Sequence, residues 1–176
     1  IAYDICPVNL ILNILANKIN KPYDNKGVIA SKGKLIPELE KKLNNLKFFK
    51  LKPPKSLGFE WVKENILPIF ESFQNDSIND VLNTYTIFIA KQISYALRGR
   101  KKAFVTGGGT FNSFLIRQIK NRTSCTLVIP EEKIINFKEA IIFAFLGLLR
   151  DKKQINCYSS VTGAKKNHSS GNIFLP

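Results

Sequence analysis

Three consecutive glycines between an apolar segment and a helical pattern constrain the fold of this chain more than any other feature. Phe104 and Val105 come shortly before Gly107, Gly108 and Gly109. Bulky and β-branched side chains suit the interior of a sheet, while glycines permit positive φ and a close approach to the backbone. The stretch therefore predicts a short buried strand, a tight turn and the start of a helix, as in an α/β protein.

The segment after the glycines carries helix-start signals. Asn112 and Ser113 are suitable caps for a helix with an apolar side formed by Phe114, Leu115, Ile116 and Ile119. Exposed N–H groups at a helix start attract anions, so residues 107–112 are a candidate nucleotide-contacting loop. A strand-to-helix turn without a ligand is the alternative, because the stretch is neither a Walker A loop nor a G-x-G-x-x-G fingerprint.

Composition indicates one ordinary globular domain. The 176 residues are 44% hydrophobic and 23% charged, and the formal net charge of +14 comes mostly from scattered lysines. Because no basic stripe alternates with aromatic residues, we interpret the charge as solvated surface and do not expect nucleic acid as a partner. No apolar run reaches the ~18 residues needed to cross a bilayer, so no membrane association is expected.

The cysteines and the histidine give no metal or disulfide pattern. Cys6, Cys125 and Cys157 are odd in number and widely spaced, which favours a reducing, cytoplasmic compartment. His168 is the single histidine and lies in a polar tail, so we expect it to be exposed to solvent and not to be a metal ligand. No metal-ligating residue is predicted.

Hydrophobic periodicity and turn residues divide the chain into further elements. Residues 1–4 suggest the end of a strand, 126–129 a second buried strand, and 173–176 a closing strand. The predicted loops or turns are 20–33, 52–58, 131–136 and 159–164. The predicted helices are 10–19, 35–46, 59–73 with a kink at Pro68, a long helix reaching residue 98 from a capping box at Ser77 and Asp80, and 138–149.

Two carboxylates fall at places where catalysis is common in α/β proteins. Asp4 ends the first predicted strand and faces the start of a helix that Asn9 caps or begins, but local evidence favours the simpler role of satisfying loop amides. Glu139 falls at the beginning of the 138–149 helix, where the helix dipole favours a negative charge in any case. Local patterns leave both residues open between structural and functional roles.

Five motifs in order resemble the C-terminal half of anhydro-N-acetylmuramic acid kinases. Residues 3–9 are similar to the family's F-D-x-G-P-G-N, and residues 53–60 to its P-P-K-S-T-G-R-E. Residues 106–112 match G-G-G-x-x-N, residues 138–145 resemble M-E-A-L-A-F-A, and residues 160–164 match S-V-T-G-A. The resemblance spans nearly the whole chain.

The resemblance implies an incomplete ribonuclease H-like lobe of the actin-like ATPase and sugar kinase superfamily, over residues 1–176. The family opens the 1,6-anhydro bond of anhydro-N-acetylmuramic acid and phosphorylates O6 with ATP and Mg²⁺, in peptidoglycan recycling. Asp4 matches the general base that activates water. Glu139 and Asn9 match sugar-binding positions, and Gly107, Gly108, Gly109 and Asn112 match the nucleotide side of the cleft.

The sequence also departs from the family pattern. Cys6 and Val8 replace two glycines, while Leu57 and Phe59 replace a threonine and an arginine. The N-terminal lobe with its phosphate loop has no counterpart in this chain. We therefore expect no turnover from residues 1–176 alone, and either a homodimer or pairing with the missing lobe. The alternatives are a non-catalytic sugar- or nucleotide-binding relative and, less favoured, a basic nucleic-acid-binding module.

Overall fold

The computed structural model describes residues 1–174, in which most of the chain is helical and two short strands form a small parallel sheet. The α-helices of these residues are α1 (Asn9–Asn17), α2 (Val28–Ser31), α3 (Pro37–Asn45), α4 (Lys47–Lys50), α5 (Phe59–Asn65), α6 (Leu67–Glu71), α7 (Ile78–Ala96), α8 (Ser113–Lys120), α9 (Glu132–Asp151) and α10 (Ser159–Thr162). The strands are β1 (Lys102–Phe104) and β2 (Thr126–Val128), and short 3₁₀ turns lie at Asn25–Gly27 and Gly108–Phe111. No helix of the described chain is apolar over a length that could cross a bilayer.

Helix α7 is the centre of the hydrophobic core. Its 19 residues pack against α1, α2, α3 and α8, so apolar side chains are buried on several of its sides, as its sequence predicted. Tyr85 and Phe88 are fully buried there. Their rings meet Phe70 and Phe49 edge-on, with centroids 5.3 Å and 4.9 Å apart. Such aromatic pairs stabilise the core beyond the area that they bury.

The sheet consists of β1 and β2 in parallel, with Ala103 paired to Leu127 and Phe104 to Val128. Leu127 packs against the core, whereas Phe104 is 63% exposed and Val128 is 41% exposed. The prediction of two buried strands is therefore wrong for the outer face. Parallel sheets are usually covered on both faces, and here helices cover only one.

Two predictions for the first third of the chain are corrected. Residues 1–4 are not a strand: within the described residues, their main chain bonds to another segment only through the Asp4 N–H, which donates to the carbonyl of Lys55. Residues 20–33 are not a plain loop, because the buried Asp24 carboxylate accepts the N–H groups of Ile29 and Ala30 at 2.8 Å and 2.9 Å. Those bonds hold the start of α2.

The starts of two helices differ from the predictions, whereas one predicted helix break is confirmed. The predicted capping box does not form: the Ser77 side chain makes no capping hydrogen bond, and the Asp80 carboxylate accepts the N–H of Lys34 at 2.6 Å. Helix α9 begins at Glu132 and not at Lys138, so Glu139 lies inside the helix and not in its first turn. The break at Pro68 is confirmed, since α5 ends at Asn65 and α6 begins at Leu67.

The last part of the chain packs loosely. Residues 159–164, predicted as a turn, contain α10, which Gly163 ends with a φ of 74°. Cys157 and His168 form an isolated antiparallel bridge, and His168 is exposed as predicted. Ile173 and Phe174 are not in a strand, and the remaining two residues of that predicted strand lie outside the described residues.

Candidate functional site

The proline-rich loop at residues 52–58 holds Asp4 in place. Oδ2 of the Asp4 carboxylate accepts the main-chain N–H of Leu57 at 2.7 Å and the hydroxyl of Ser56 at 3.2 Å. The Asp4 N–H in turn donates to the carbonyl of Lys55 at 2.9 Å. Three hydrogen bonds therefore connect two motifs that are more than fifty positions apart. Sequence reasoning missed this pairing, because nothing local to either motif indicates the other.

The turn after Asp4 is fixed from the core side. The buried hydroxyl of Tyr85 donates to the carbonyl of Pro7 at 2.8 Å. Burial raises the pKa of the Cys6 thiol to about 12, although the nearby ammonium of Lys55 acts in the opposite direction. Cys6 and Val8 pack against the core, and neither adopts a positive φ. The two positions where the family has glycine therefore need no glycine here.

The glycine loop joins β1 to α8 and touches the start of α1. Gly107 has a φ of 91°, a conformation that L side chains rarely adopt. A Cβ on Gly108 would lie 2.9 Å from Nδ2 of Asn9, and one on Gly109 would lie 3.7 Å from its Oδ1. The structure thus brings together Asn9 and the three glycines, and Gly108 permits their close contact.

Asn112 has the structural role that the sequence predicted. Its Oδ1 accepts the N–H of Leu115 at 2.9 Å and so caps α8. A Cβ on Gly27 would lie 2.3 Å from the same oxygen, so Gly27 makes room for the cap. The predicted apolar side of the helix is buried and consists of Phe114, Leu115, Ile116 and Ile119.

Two cavities lie on either side of this loop, and Asn9 and Gly108 line both of them. The smaller, about 250 Å³, is mainly apolar and includes Gly107, Gly109, Val105 and Thr106, with Ile93, Leu115, Ile116 and Ile119. The larger, about 550 Å³, is rich in amide side chains and is lined by Asn9, Asn13, Asn112, Asn136, Tyr23, Asp24, Glu132 and others. One is suited to a flat apolar group, the other to a hydroxyl-rich one.

Asp4 and Glu139 line neither of these cavities. Glu139 is exposed on α9, seven residues after Glu132 and three after Asn136. These spacings put all three on one helix face, with Glu139 roughly 10 Å beyond Glu132 at 1.5 Å per residue. The prediction missed Glu132 because it started α9 six residues too late; the i, i+4, i+7 spacing was the available signal.

The side chains that commonly bind metal ions are dispersed in the described part of the chain. Within residues 1–174, no group of three or more His, Cys, Asp and Glu side chains is arranged to hold a metal ion. Cys6, Cys125 and Cys157 are free thiols.

Comparison with known proteins identifies the family of the chain. The family model described as anhydro-N-acetylmuramic acid kinase matches residues 1–176. Proteins named anhydro-N-acetylmuramic acid kinase from Bacillus cereus (strain Q1) and Bacillus thuringiensis (strain Al Hakam) are 31% and 30% identical over 192 residues. These alignments cover 100% of this chain but only 50% and 49% of the relatives, so the chain spans about half their length. The chain belongs to the anhydro-N-acetylmuramic acid kinase family.

Proposed function

We propose that residues 1–176 form the C-terminal part of a two-lobed, ATP-dependent kinase. Its ribonuclease H-like lobe would belong to the actin-like ATPase and sugar kinase superfamily. The whole enzyme would open the 1,6-anhydro bond of anhydro-N-acetylmuramic acid and phosphorylate O6, in cytoplasmic peptidoglycan recycling. The observation that carries this proposal is a hydrogen bond between two family motifs: the main-chain N–H of Leu57 donates to Oδ2 of the Asp4 carboxylate at 2.7 Å.

Asp4 is the general base in this proposal. The carboxylate takes a proton from water as the water oxygen bonds to the anomeric carbon and the bond from that carbon to O6 breaks. Both hydrogen bonds that Asp4 receives within the described residues go to Oδ2, so Oδ1 is left to face the water. Ser56 and Leu57 act here as positioning residues, since they orient the base without touching substrate.

The departure at Leu57 does not disturb this arrangement. The family has threonine at that position, but the bond to Asp4 comes from the main-chain N–H, which every residue except proline supplies. Nor do Cys6 and Val8 strain the turn, since neither takes a positive φ. These contacts support the catalytic reading over the non-catalytic alternative.

The smaller cavity is suited to the nucleoside part of ATP. Its apolar wall would accept a flat base, and the buried hydroxyl of Thr106 has no hydrogen-bond partner among the described residues. A buried hydroxyl without a partner is a group that a ligand would satisfy. Gly107, Gly108 and Gly109 would let the nucleotide approach the main chain, beside Asn112. The chemistry that ATP supplies when bound is the phosphoryl group that O6 accepts.

The amide-rich cavity is suited to the part of the sugar that lies away from the anomeric carbon, since Asp4 does not line it. Asn9 and Asn136 offer both donors and acceptors to hydroxyl groups, and Tyr23 offers an apolar ring face. Glu139 continues the same face of α9 toward solvent, where a second lobe would close. Mg²⁺ is expected from the family, but residues 1–174 offer it no cluster of ligands, so we route no step through the metal.

The proposal requires a second segment equivalent to the other half of the relatives. The outer face of the sheet and most of α9 are apolar and exposed, with Phe104 at 63%, Phe137 at 58% and Phe143 at 71%. Only Ile135 of the 20 residues of α9 is buried. Exposed apolar surface on this scale marks an interface. We propose that the missing half, or a second copy of the chain, covers it.

The test is the substitution Asp4→Asn in the full-length protein, with the rate of formation of the O6-phosphorylated product as the measurement. Loss of a general base should lower the turnover number by about 10²- to 10⁴-fold. Asp76→Asn makes the same chemical change at an exposed position outside the site and should retain activity. Near-normal turnover of Asp4→Asn would refute the assignment. Calorimetric binding of ATP and the anhydro sugar to the wild-type protein without any product would favour the non-catalytic relative.

A further inference from the structure

A basic cavity lies away from the candidate active site, at the C-terminal end of α7. Its volume is about 440 Å³, and its wall is formed by Phe49, Lys91, Gln92, Ser94, Tyr95, Arg98 and Arg122. Three of these seven residues are cationic and none is acidic. It shares no lining residue with the two cavities beside the glycine loop.

Two of the three cations have no carboxylate partner among the described residues. Lys91 is paired with Glu40 at 2.5 Å. The guanidinium of Arg98 instead lies over the Tyr95 ring, 4.5 Å from its centroid. The guanidinium of Arg122 donates, within the described residues, only to Gln118, at its carbonyl oxygen and at its Oε1. Two uncompensated guanidinium groups at one concavity create a local positive potential.

The lining of the cavity also includes a residue with a buried hydroxyl group that lacks a hydrogen-bond partner in the described residues. Ser94 is 7% exposed, and its Oγ has no hydrogen-bond partner within residues 1–174. Buried hydroxyls are usually satisfied, by the main chain of their own helix or by a bound group. Ser94 contrasts with Thr84 and Thr86 of the same helix, both of which bond to the carbonyl four residues earlier.

We propose that this cavity binds a small phosphorylated molecule. Arginine forks match the geometry of phosphate oxygens and bind them by paired, charge-assisted hydrogen bonds. The partly exposed Tyr95 ring would support the remainder of the ligand. A nucleic-acid strand fits less well, because such proteins use a row of stacking aromatic residues along a groove and this cavity has one exposed ring. The proposal does not depend on the kinase assignment.

The test is calorimetry with inorganic pyrophosphate on the full-length protein. Replacing both guanidinium groups, Arg98→Gln with Arg122→Gln, should weaken binding by about tenfold or more, since each lost hydrogen bond to a charged group counts strongly. The matched control is Arg100→Gln with Arg117→Gln, which removes the same charge from residues that do not line the cavity. That control should change the affinity by less than about twofold, because separated surface charges are screened.

Three results would overturn the proposal. They are the absence of saturable pyrophosphate binding, equal losses in the two double variants, and tighter binding of a single-stranded oligonucleotide than of pyrophosphate with a steep salt dependence. Circular dichroism checks that each variant is folded. If the cavity double variant does not fold, the single substitutions Arg98→Gln and Arg122→Gln decide the same question, each with an expected loss of at least about threefold. If pyrophosphate bound in the candidate active site instead, the cavity substitutions would leave its affinity unchanged, and that result would also overturn the proposal.

Discussion

Asn112 is placed both as a helix cap and as a nucleotide-side residue, and two substitutions separate these roles. Asn112→Ala removes the Oδ1 acceptor that bonds the Leu115 N–H at 2.9 Å. Leu115 is 2% exposed, so water would not replace the lost bond. Asn112→Asp keeps an oxygen acceptor in the same place and adds a negative charge.

The expected magnitude follows from the burial of the cap. Loss of an Asn cap costs ~1 kcal/mol in typical helices, with a range of about 0.5 to 2. Because the Leu115 N–H is buried, Asn112→Ala should fall in the upper part of that range, at about 1.5 kcal/mol. Asn112→Asp should stay within about 0.5 kcal/mol of the wild type, since Asp caps helices as well as Asn does.

Chemical denaturation of the full-length protein measures both values, and calorimetry with ATP supplies the second readout. If Asn112 lies beside the nucleotide, Asn112→Asp should keep its stability and yet bind ATP several-fold more weakly, because the new carboxylate repels phosphate. Equal destabilisation by the two substitutions would refute the capping argument. Unchanged ATP affinity in Asn112→Asp would refute the placement beside the nucleotide.

Three further substitutions test the packing around the site. Gly33→Ala would bring a Cβ within 2.0 Å of the Asn79 carbonyl oxygen. The free energy of unfolding of this variant, measured by chemical denaturation, should therefore fall by more than ~1 kcal/mol. Tyr85→Phe removes the bond to the Pro7 carbonyl and should cost about 1 kcal/mol in the same assay, together with a lower turnover number because the Asp4 turn loosens. The pKa of Cys6 is raised to about 12 from 9.0, so its stabilising effect is complete below pH 9 and is lost as pH rises toward 12. Stability measured across that range should therefore fall less steeply in Cys6→Ala, and an unchanged slope would contradict the assignment.

Local elements could be predicted from the sequence, and pairings between distant segments could not. The cap at Asn112 and the buried side of α8 depend on residues within one turn of each other, so spacing alone identified them. The start of α9 was misplaced because the charged and polar residues Glu131, Glu132 and Asn136 suggested a loop, although Ile134 and Ile135 already belong to the first turns of the helix. The strand predicted at residues 1–4 failed for another reason: a strand needs a partner, and this segment instead bonds to the loop at Lys55.

The candidate site itself divides along the same line. Family motifs pointed to Asp4 and the glycine loop one by one, but only the fold shows that Leu57 and Ser56 hold the Asp4 carboxylate. The 53 positions between Asp4 and Leu57 leave no periodic signal. The sheet also shows why burial was overestimated at Phe104. An apolar side chain predicts that a residue is stable when buried, but it does not predict which segment will cover it.

Main-chain groups contribute most of the hydrogen bonds that hold Asp4 and the turn after it. The shorter of its two carboxylate bonds comes from a main-chain N–H, and the turn that follows it is fixed through the Pro7 carbonyl. Main-chain groups persist when side chains change, so Leu57 holds the Asp4 carboxylate although the family resemblance predicts threonine at its position. The residue to which the site is most sensitive outside Asp4 should therefore be Tyr85, whose hydroxyl is the one buried side-chain bond to that turn within the described residues.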